Sequence, residues 1–224
     1  DIAGAVKRLF GMRATSVRES LIPGFFAVNT SPSEVGPRFF VDRKLSYFGN
    51  YSTGYSYIAG SRAGQDLSPQ DAQALFREML AALPKERLIT YRFGDASRQV
   101  LLFTAYDCPT CRTIERNMQQ QAKRLNATVY LIPTALRYET DASARVIIQN
   151  LLCASDREAA WQALILKGQV PATARCSEQA DDYAYLYRAF PVKFPRFVPA
   201  AVTLADGRVY QGVLQQFSEV FGSR

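Results

Sequence analysis

The chain has 224 residues, 48% hydrophobic and 21% charged, which suits an ordinary globular protein of one large domain or two modest ones. No apolar run approaches the ~20 residues that span a bilayer, and the absence of histidine excludes Ser-His-Asp and Cys-His catalysis and every His-containing metal site. The net charge is +7, but lysines and arginines are scattered, the densest group being "FVDRKL", so a nucleic-acid partner is not expected and the basic surface serves solubility or acidic partners.

No signal peptide is visible at Asp1, as expected of a mature, processed product. The stretch "DIAGAVKRLFGM" places Ile2, Val6, Leu9 and Phe10 at near-helical spacing, with Gly11 as the stop. The runs "FFAVNT", "PRFFVD", "LSYFGNY" and "YSYIAG" follow, separated by turn residues, and predict three or four strands of a small antiparallel sheet within residues 1–62. Sixty residues give a marginal core, so this piece is expected to lean on a partner. A helix is predicted over residues 69–83: Ser68 as N-cap, Pro69 in the first turn, apolar residues at helical spacing, and Pro84 as terminator. It reads as a connecting element spanning 63–84, or as an ordinary core helix in one continuous domain.

From residue 85 strands and helices alternate. "RLITYRF", "QVLLFTAY" and "TVYLIP" read as strands, with a helix over residues 109–125 between the last two. Helices are predicted over 142–153, 156–167 and 177–188, then a hairpin from "AAVTL" to "VYQG", then a short helix over 215–221. That order is an α/β sandwich.

The chemistry concentrates in "AYDCPTC". Cys108 and Cys111 stand three apart between a strand and a helix, which puts Cys108 near the N-cap and Cys111 in the first turn. The unpaired N–H groups of the helix start and the helix dipole favour a thiolate at Cys108. A drop of about two pH units in its pKa ionises most of a thiol at neutral pH. Asp107 acts in the opposite sense, and sequence does not rank the two. Pro109 fixes the entry to the helix and surrenders an N–H that would be unpaired anyway. Cys108 is therefore the expected exposed nucleophile and Cys111 the resolving thiol. Zinc is disfavoured because Cys153 and Cys176 form no second closely spaced pair, and inert core thiols because Cys108 falls at a strand end.

Cys153 ends a predicted helix and Cys176 precedes another, so a bridge between them would pin a helical hairpin and leave no cysteine over. A second redox couple is the alternative. Such a bond persists only in an oxidising compartment. Pro199 stands immediately before a β-rich run, where a proline marks a strand start, an edge or a cis bond.

Four stretches, "FTAYDCPTC", "LLCASDREAAWQALILKGQVPATARC", "DDYAYLYRAF" and "FVPAAVTLADGRVYQG", resemble the DsbC/DsbG group of periplasmic thiol-disulfide isomerases. The resemblance implies an α/β, thioredoxin-fold catalytic domain over 85–224 with a helical insertion, preceded by a dimerisation domain over 1–62 and a linker helix. It implies a structural disulfide between Cys153 and Cys176, a cis bond between Val198 and Pro199, and substrate contacts at Val198, Pro199, Pro109 and Thr110. It further implies a V-shaped homodimer in the periplasm with two sites facing an apolar cleft. Unfolded or misoxidised exported proteins would be its clients, and a DsbD-like membrane thiol reductase would keep the pair reduced. No cofactor or metal is implied, and chaperone activity is. Departures are Pro109-Thr110 between the cysteines, Val198 before the proline and Ala105 after "FT". They leave a net oxidase or reductase, or a disulfide-independent chaperone, as alternative expectations.

Overall fold

A computed structural model describes residues 1–222, so the last two positions of the expected 85–224 domain lie outside the described residues. The chain divides into two units: Asp1–Pro84 together with Tyr185–Phe194, and Lys85–Ala184 together with the chain from Pro195 onward. Residues 185–194, read from sequence as part of the second domain, thus cluster with the first. Among the described residues no helix is long and apolar enough to cross a membrane.

The first unit opens with α1 (Ile2–Phe10), where the Asp1 carboxylate accepts the Ala3 N–H and Gly11 closes the helix at φ 66°. Five strands follow, β1 (Ser16–Glu19), β2 (Phe25–Asn29), β3 (Phe39–Asp42), β4 (Tyr47–Asn50) and β5 (Gly54–Tyr57), in sequential antiparallel order. The sequence reading missed β1. Its residues "SVRE" carry no strong apolar alternation and are only half-buried or exposed, so hydrophobic patterning had nothing to detect. Val6 of α1 packs with Val28, Phe39 and Val41 of the sheet into a small core, with Phe10 stacked on Phe48 at 3.7 Å.

Helix α2 (Pro69–Ala82) begins as expected: the Ser68 hydroxyl accepts the Asp71 N–H, and Leu75, Phe76, Met79 and Leu80 are buried along one side. The 185–194 segment completes this unit. Tyr55 donates its hydroxyl to the Ala189 carbonyl at 2.6 Å, and Phe190 meets the edge of Phe76 at 4.8 Å. Gly36 is at φ +73°, and a Cβ there would lie 2.3 Å from the Tyr185 ring, so the position demands glycine twice over.

The second unit is a five-stranded sheet in the order β10-β9-β7-β8-β6. Its strands are β6 (Ile89–Phe93), β7 (Arg98–Ala105), β8 (Ala127–Thr134), β9 (Ala200–Thr203) and β10 (Val209–Gln211), and only the β7–β8 pairing is parallel. Val100 to Ala105 and Ala127 to Pro133 are buried without alternation, which requires both faces of the central strands to be covered. The cover comes from α3 (Pro109–Gln120), α4 (Ala142–Leu152), α5 (Arg157–Lys167), α6 (Ala180–Ala184) and α7 (Phe217–Phe221), with α3 packed on α5, α5 on β6, α6 on β8 and α7 on β7.

Two predicted helices differ. The helix expected over 109–125 ends at Gln120. The chain then turns through Arg124 N–H to the Gln121 carbonyl, which delivers Leu125 to the core and Asn126 N–H to the Phe221 carbonyl. The helix expected over 177–188 shortens to α6 followed by a 3₁₀ turn at Leu186–Ala189. Glu178 stands outside it because its carboxylate binds Arg87, Arg157 and the Tyr183 hydroxyl.

Candidate active site

Strand β7 carries the chain through the middle of its sheet and stops at Ala105. Three residues later Cys108 caps α3. Its N–H donates to the Ala105 carbonyl at 3.3 Å, its carbonyl accepts the Arg112 N–H at 3.0 Å, and its Sγ accepts the Cys111 N–H at 3.2 Å. The cap is therefore filled by sulfur where a hydroxyl or carboxylate oxygen is usual. Pro109 opens the helix and, with Thr110, is exposed.

Strand β9 runs antiparallel to β7, with Ala200 opposite Phe103. The residues just before β9 consequently lie beside the end of β7. There the Val198–Pro199 peptide bond is cis, both residues are half-buried, and the Val198 carbonyl oxygen lies 4.0 Å from the Cys108 sulfur. Cys108, Cys111, Pro109, Thr110, Val198 and Pro199, chosen from sequence as one site, are gathered at one end of the sheet.

One expectation is corrected. Cys108 keeps only 4% of its surface exposed and is not the open nucleophile expected from sequence. Its sulfur faces the helix start on one side and the Val198 carbonyl on the other, and Pro109 and Thr110 take the exposed positions. Cys111 is deeper, at 1%. Burial, and then its hydrogen bond with Cys108, push its thiol up to about 12, against the Thr104 hydroxyl and the Ala105 backbone. Both thiols are free.

Asp107, which was expected to oppose a thiolate next door, is engaged elsewhere. Its carboxylate accepts the Leu136 N–H at 2.7 Å and lies 3.8 Å from the Arg137 guanidinium. This anchors the β8-to-α4 loop beside the cysteine pair.

Below the pair, α3 buries Ile114, Glu115 and Met118. Glu115 is one turn beyond Cys111 and 2% exposed. It accepts from the Tyr91 hydroxyl at 2.8 Å, Gln119 Nε2 at 3.0 Å and Trp161 Nε1 at 3.2 Å. Burial nevertheless outweighs these donors and holds its carboxyl above the ordinary range. Arg112 donates Nε to the Ile165 carbonyl at 2.8 Å, tying the first turn of α3 to the end of α5. Sequence reading missed Glu115; the available signal was an acid in line with Ile114 and Met118 on an otherwise apolar side.

Cys153 and Cys176 are joined, with Cα atoms 5.3 Å apart. Cys153 follows α4 as expected, but Cys176 lies in the irregular stretch between α5 and α6, so the bond ties a helix end to an extended segment and not two helices. Gln149 reinforces the tie by donating to the Glu178 carbonyl at 2.8 Å and accepting the Ala180 N–H at 3.0 Å.

A family model described as a thioredoxin-like domain matches residues 85–220. Among curated proteins, the chain is 28% identical over 148 residues to a probable thiol:disulfide interchange protein DsbC of Bordetella pertussis, covering 64% of this chain and 50% of that protein. The corresponding protein of Bordetella parapertussis is 26% identical over 145 residues, covering 65% and 49%. The chain thus spans about half the length of the curated relatives it matches. Among solved structures, a disulfide interchange protein from Neisseria gonorrhoeae superposes with a TM-score of 0.48 at 20% identity, covering 62% of this chain and 99% of that one. DsbG of Helicobacter pylori gives 0.39 at 10% identity, covering 90% and 98%.

Proposed function

The chain belongs to the thioredoxin-like family, in its DsbC/DsbG-type branch, and from that premise we propose that it is a thiol-disulfide isomerase acting on exported proteins. The observation that carries this reading is the Cys108 sulfur: it caps α3, accepts the Cys111 N–H at 3.2 Å, and faces the Val198 carbonyl at 4.0 Å. The α3 N-terminus directs N–H groups at the atom that gains and loses negative charge during exchange.

Cys108, as thiolate, attacks one sulfur of a client disulfide. A Cys108–client disulfide forms, the client bond breaks, and the electron pair leaves on the other client sulfur as a thiolate. The mixed disulfide then has two fates. Attack by the client thiolate on another client disulfide, followed by return of a client thiol to the mixed disulfide, releases Cys108 with no net redox change. Attack by Cys111 instead closes a Cys108–Cys111 disulfide and releases the client reduced, which requires Cys111 to lose its proton. Burial raises the Cys111 thiol's pKa and so disfavours the thiolate that this step needs. The resolving step is thereby delayed, and the client has time to rearrange. A DsbD-like membrane thiol reductase restores the pair after each reductive escape.

The protein works as a periplasmic homodimer joined through its first unit, whose strand β1 stands at the end of its sheet's strand order. Chaperone activity accompanies exchange. A net oxidase is the second reading, favoured by Pro109-Thr110 between the cysteines and Val198 before the cis proline. The test is refolding of a scrambled multi-disulfide client by wild type and by Cys108→Ala. Rescue by wild type alone supports the isomerase. Oxidation of a reduced client without rescue of a scrambled one favours the oxidase, and equal activity of the two proteins refutes both.

A further inference from the structure

The two halves of the Cys153–Cys176 bond are not equally open to water: Cys176 is exposed and Cys153 half-buried. Cys176 lies in a stretch, residues 168–176, that forms no helix or strand and is mostly exposed. A thiolate attacks a disulfide in line with its two sulfurs, so the exposed sulfur is the one attacked and the shielded one is the sulfur that leaves.

The surroundings of the two sulfurs differ in the same sense. Gln149, one turn before Cys153 on α4, directs Nε2 at the Cys153 sulfur at 3.3 Å. Its orientation is fixed. Oε1 accepts the Ala180 N–H at 3.0 Å, so the amide nitrogen faces the Glu178 carbonyl, at 2.8 Å, and the sulfur. A disulfide sulfur is a weak acceptor and a thiolate a strong one, so this donor acts most strongly once charge gathers on Cys153. The Cys176 sulfur lies instead 3.9 Å from the Leu152 carbonyl oxygen, which opposes an anion there. The carbonyl end of α4 opposes charge at Cys153 as well, but only Cys153 has the Gln149 donor at hydrogen-bond distance. Arg175, the exposed neighbour of Cys176, adds positive charge near the attacked sulfur.

We propose that Cys176 is a second thiol-exchange site, which takes a small anionic thiol into a mixed disulfide while Cys153 leaves beside Gln149. The incoming thiolate bonds to the Cys176 sulfur, the Cys153–Cys176 bond breaks, and its electron pair goes to Cys153, which then takes a proton from water. This step involves no net oxidation or reduction. A second thiolate that attacks the mixed disulfide releases the small thiol as its own disulfide and leaves Cys176 reduced, so two thiols are oxidised as the protein bond is reduced. Opening the bond leaves the irregular stretch to the contacts of Gln149 and of Asn150, whose Oδ1 accepts the Ala174 N–H at 3.3 Å. The order of that stretch thereby follows the thiol content of the surroundings. The site stands whether or not Cys108 is the attacking sulfur of the first pair.

The experiment exposes the full chain, with the Cys153–Cys176 bond formed, to millimolar reduced glutathione under native conditions. Samples are quenched in acid, alkylated and mapped by mass spectrometry without reduction. Cys108→Ala/Cys111→Ala is run alongside, to remove relay through the first pair. The expected early product in both proteins is glutathione on Cys176 with Cys153 alkylated, favoured over the reverse arrangement by about tenfold, the ratio that one hydrogen bond to a charged group supplies. Sub-denaturing urea should leave the rate within about twofold, because the attacked sulfur is exposed in the folded state. Gln149→Met should slow exchange several-fold, whereas a side chain that served only to tether residues 178–180 would quicken it when lost. Glutathione mainly on Cys153, an adduct in wild type alone, no adduct in either protein, or a rate that climbs with urea as unfolding does overturns the proposal. An unchanged or faster rate in Gln149→Met overturns the assignment of Cys153 as the leaving sulfur held by that donor.

Discussion

Removing the Cys153–Cys176 bond by Cys153→Ala with Cys176→Ala should destabilise the second unit by about 3 kcal/mol. The bond closes a loop with a sequence separation of 23, for which the chain-entropy relation gives about 3.4 kcal/mol at 25 °C. That loop contains α5 and the irregular stretch carrying Cys176, which has no strand or helix of its own to hold it. For a unit of this size the loss corresponds to roughly 10 °C in midpoint. Urea unfolding followed by circular dichroism measures it, and dithiothreitol provides the control. The reductant should lower the stability of wild type to that of the double variant and leave the variant unchanged, because Cys108 and Cys111 are already free thiols. Amide protection should fall first at the end of α4 and in residues 168–179. If the double variant unfolds within about 0.5 kcal/mol of wild type, and wild type ignores dithiothreitol, the loop argument is wrong.

Other consequences follow from the same contacts. The Glu115 carboxyl is held above its ordinary range by burial, so the folded state binds its proton more tightly than the unfolded state. Its contribution to stability is therefore greatest below the unfolded pKa and is lost as pH rises through the folded one; Glu115→Gln should remove that decline, and parallel stability-pH curves for the two proteins would contradict it. In Cys108→Ala, Cys111 keeps its burial, so iodoacetamide should label it slowly at pH 8 and rapidly only after denaturation; fast native labelling would refute the sealed position. Gly36→Ala should destabilise the first unit by about 2 kcal/mol or more, because it adds left-handed strain to a collision with the Tyr185 ring; thermal denaturation checks it, and an unchanged midpoint would refute it.

Much of the fold was readable where local chemistry and tertiary packing agree. Ser68, Pro69 and the spaced apolar residues of α2 are sufficient to place that helix, as are Gly11 for the end of α1 and the buried run before Cys108 for β7. The failures share a cause. Strand β1 exists because Val17 and its neighbours pair with β2, a fact that four weakly patterned residues do not advertise. The helix expected at 177–188 shortens because Glu178 is bound by Arg87, 91 positions earlier, and by Arg157, 21 positions earlier.

The candidate site divides in the same way. Strand, cysteine pair and helix are contiguous in sequence, so their grouping was legible. The burial of Cys108 was not, because the carbonyl that covers it arrives from Val198, 90 positions later. Glu115 was hidden likewise: its donors Tyr91 and Trp161 come from β6 and α5, and without them an acid on a helix reads as solvent-facing. The exposure of Phe197 also ran against its hydrophobic character, which by itself suggests a core residue.

The most direct test of the account is a trapping experiment with Cys111→Ala. Incubated with a scrambled multi-disulfide client, quenched in acid and mapped by mass spectrometry without reduction, this variant should accumulate a covalent complex joined through Cys108, with Cys153 and Cys176 still paired to each other. Absence of any complex, or a linkage through Cys176 in its place, would contradict the assignment of Cys108 as the attacking sulfur.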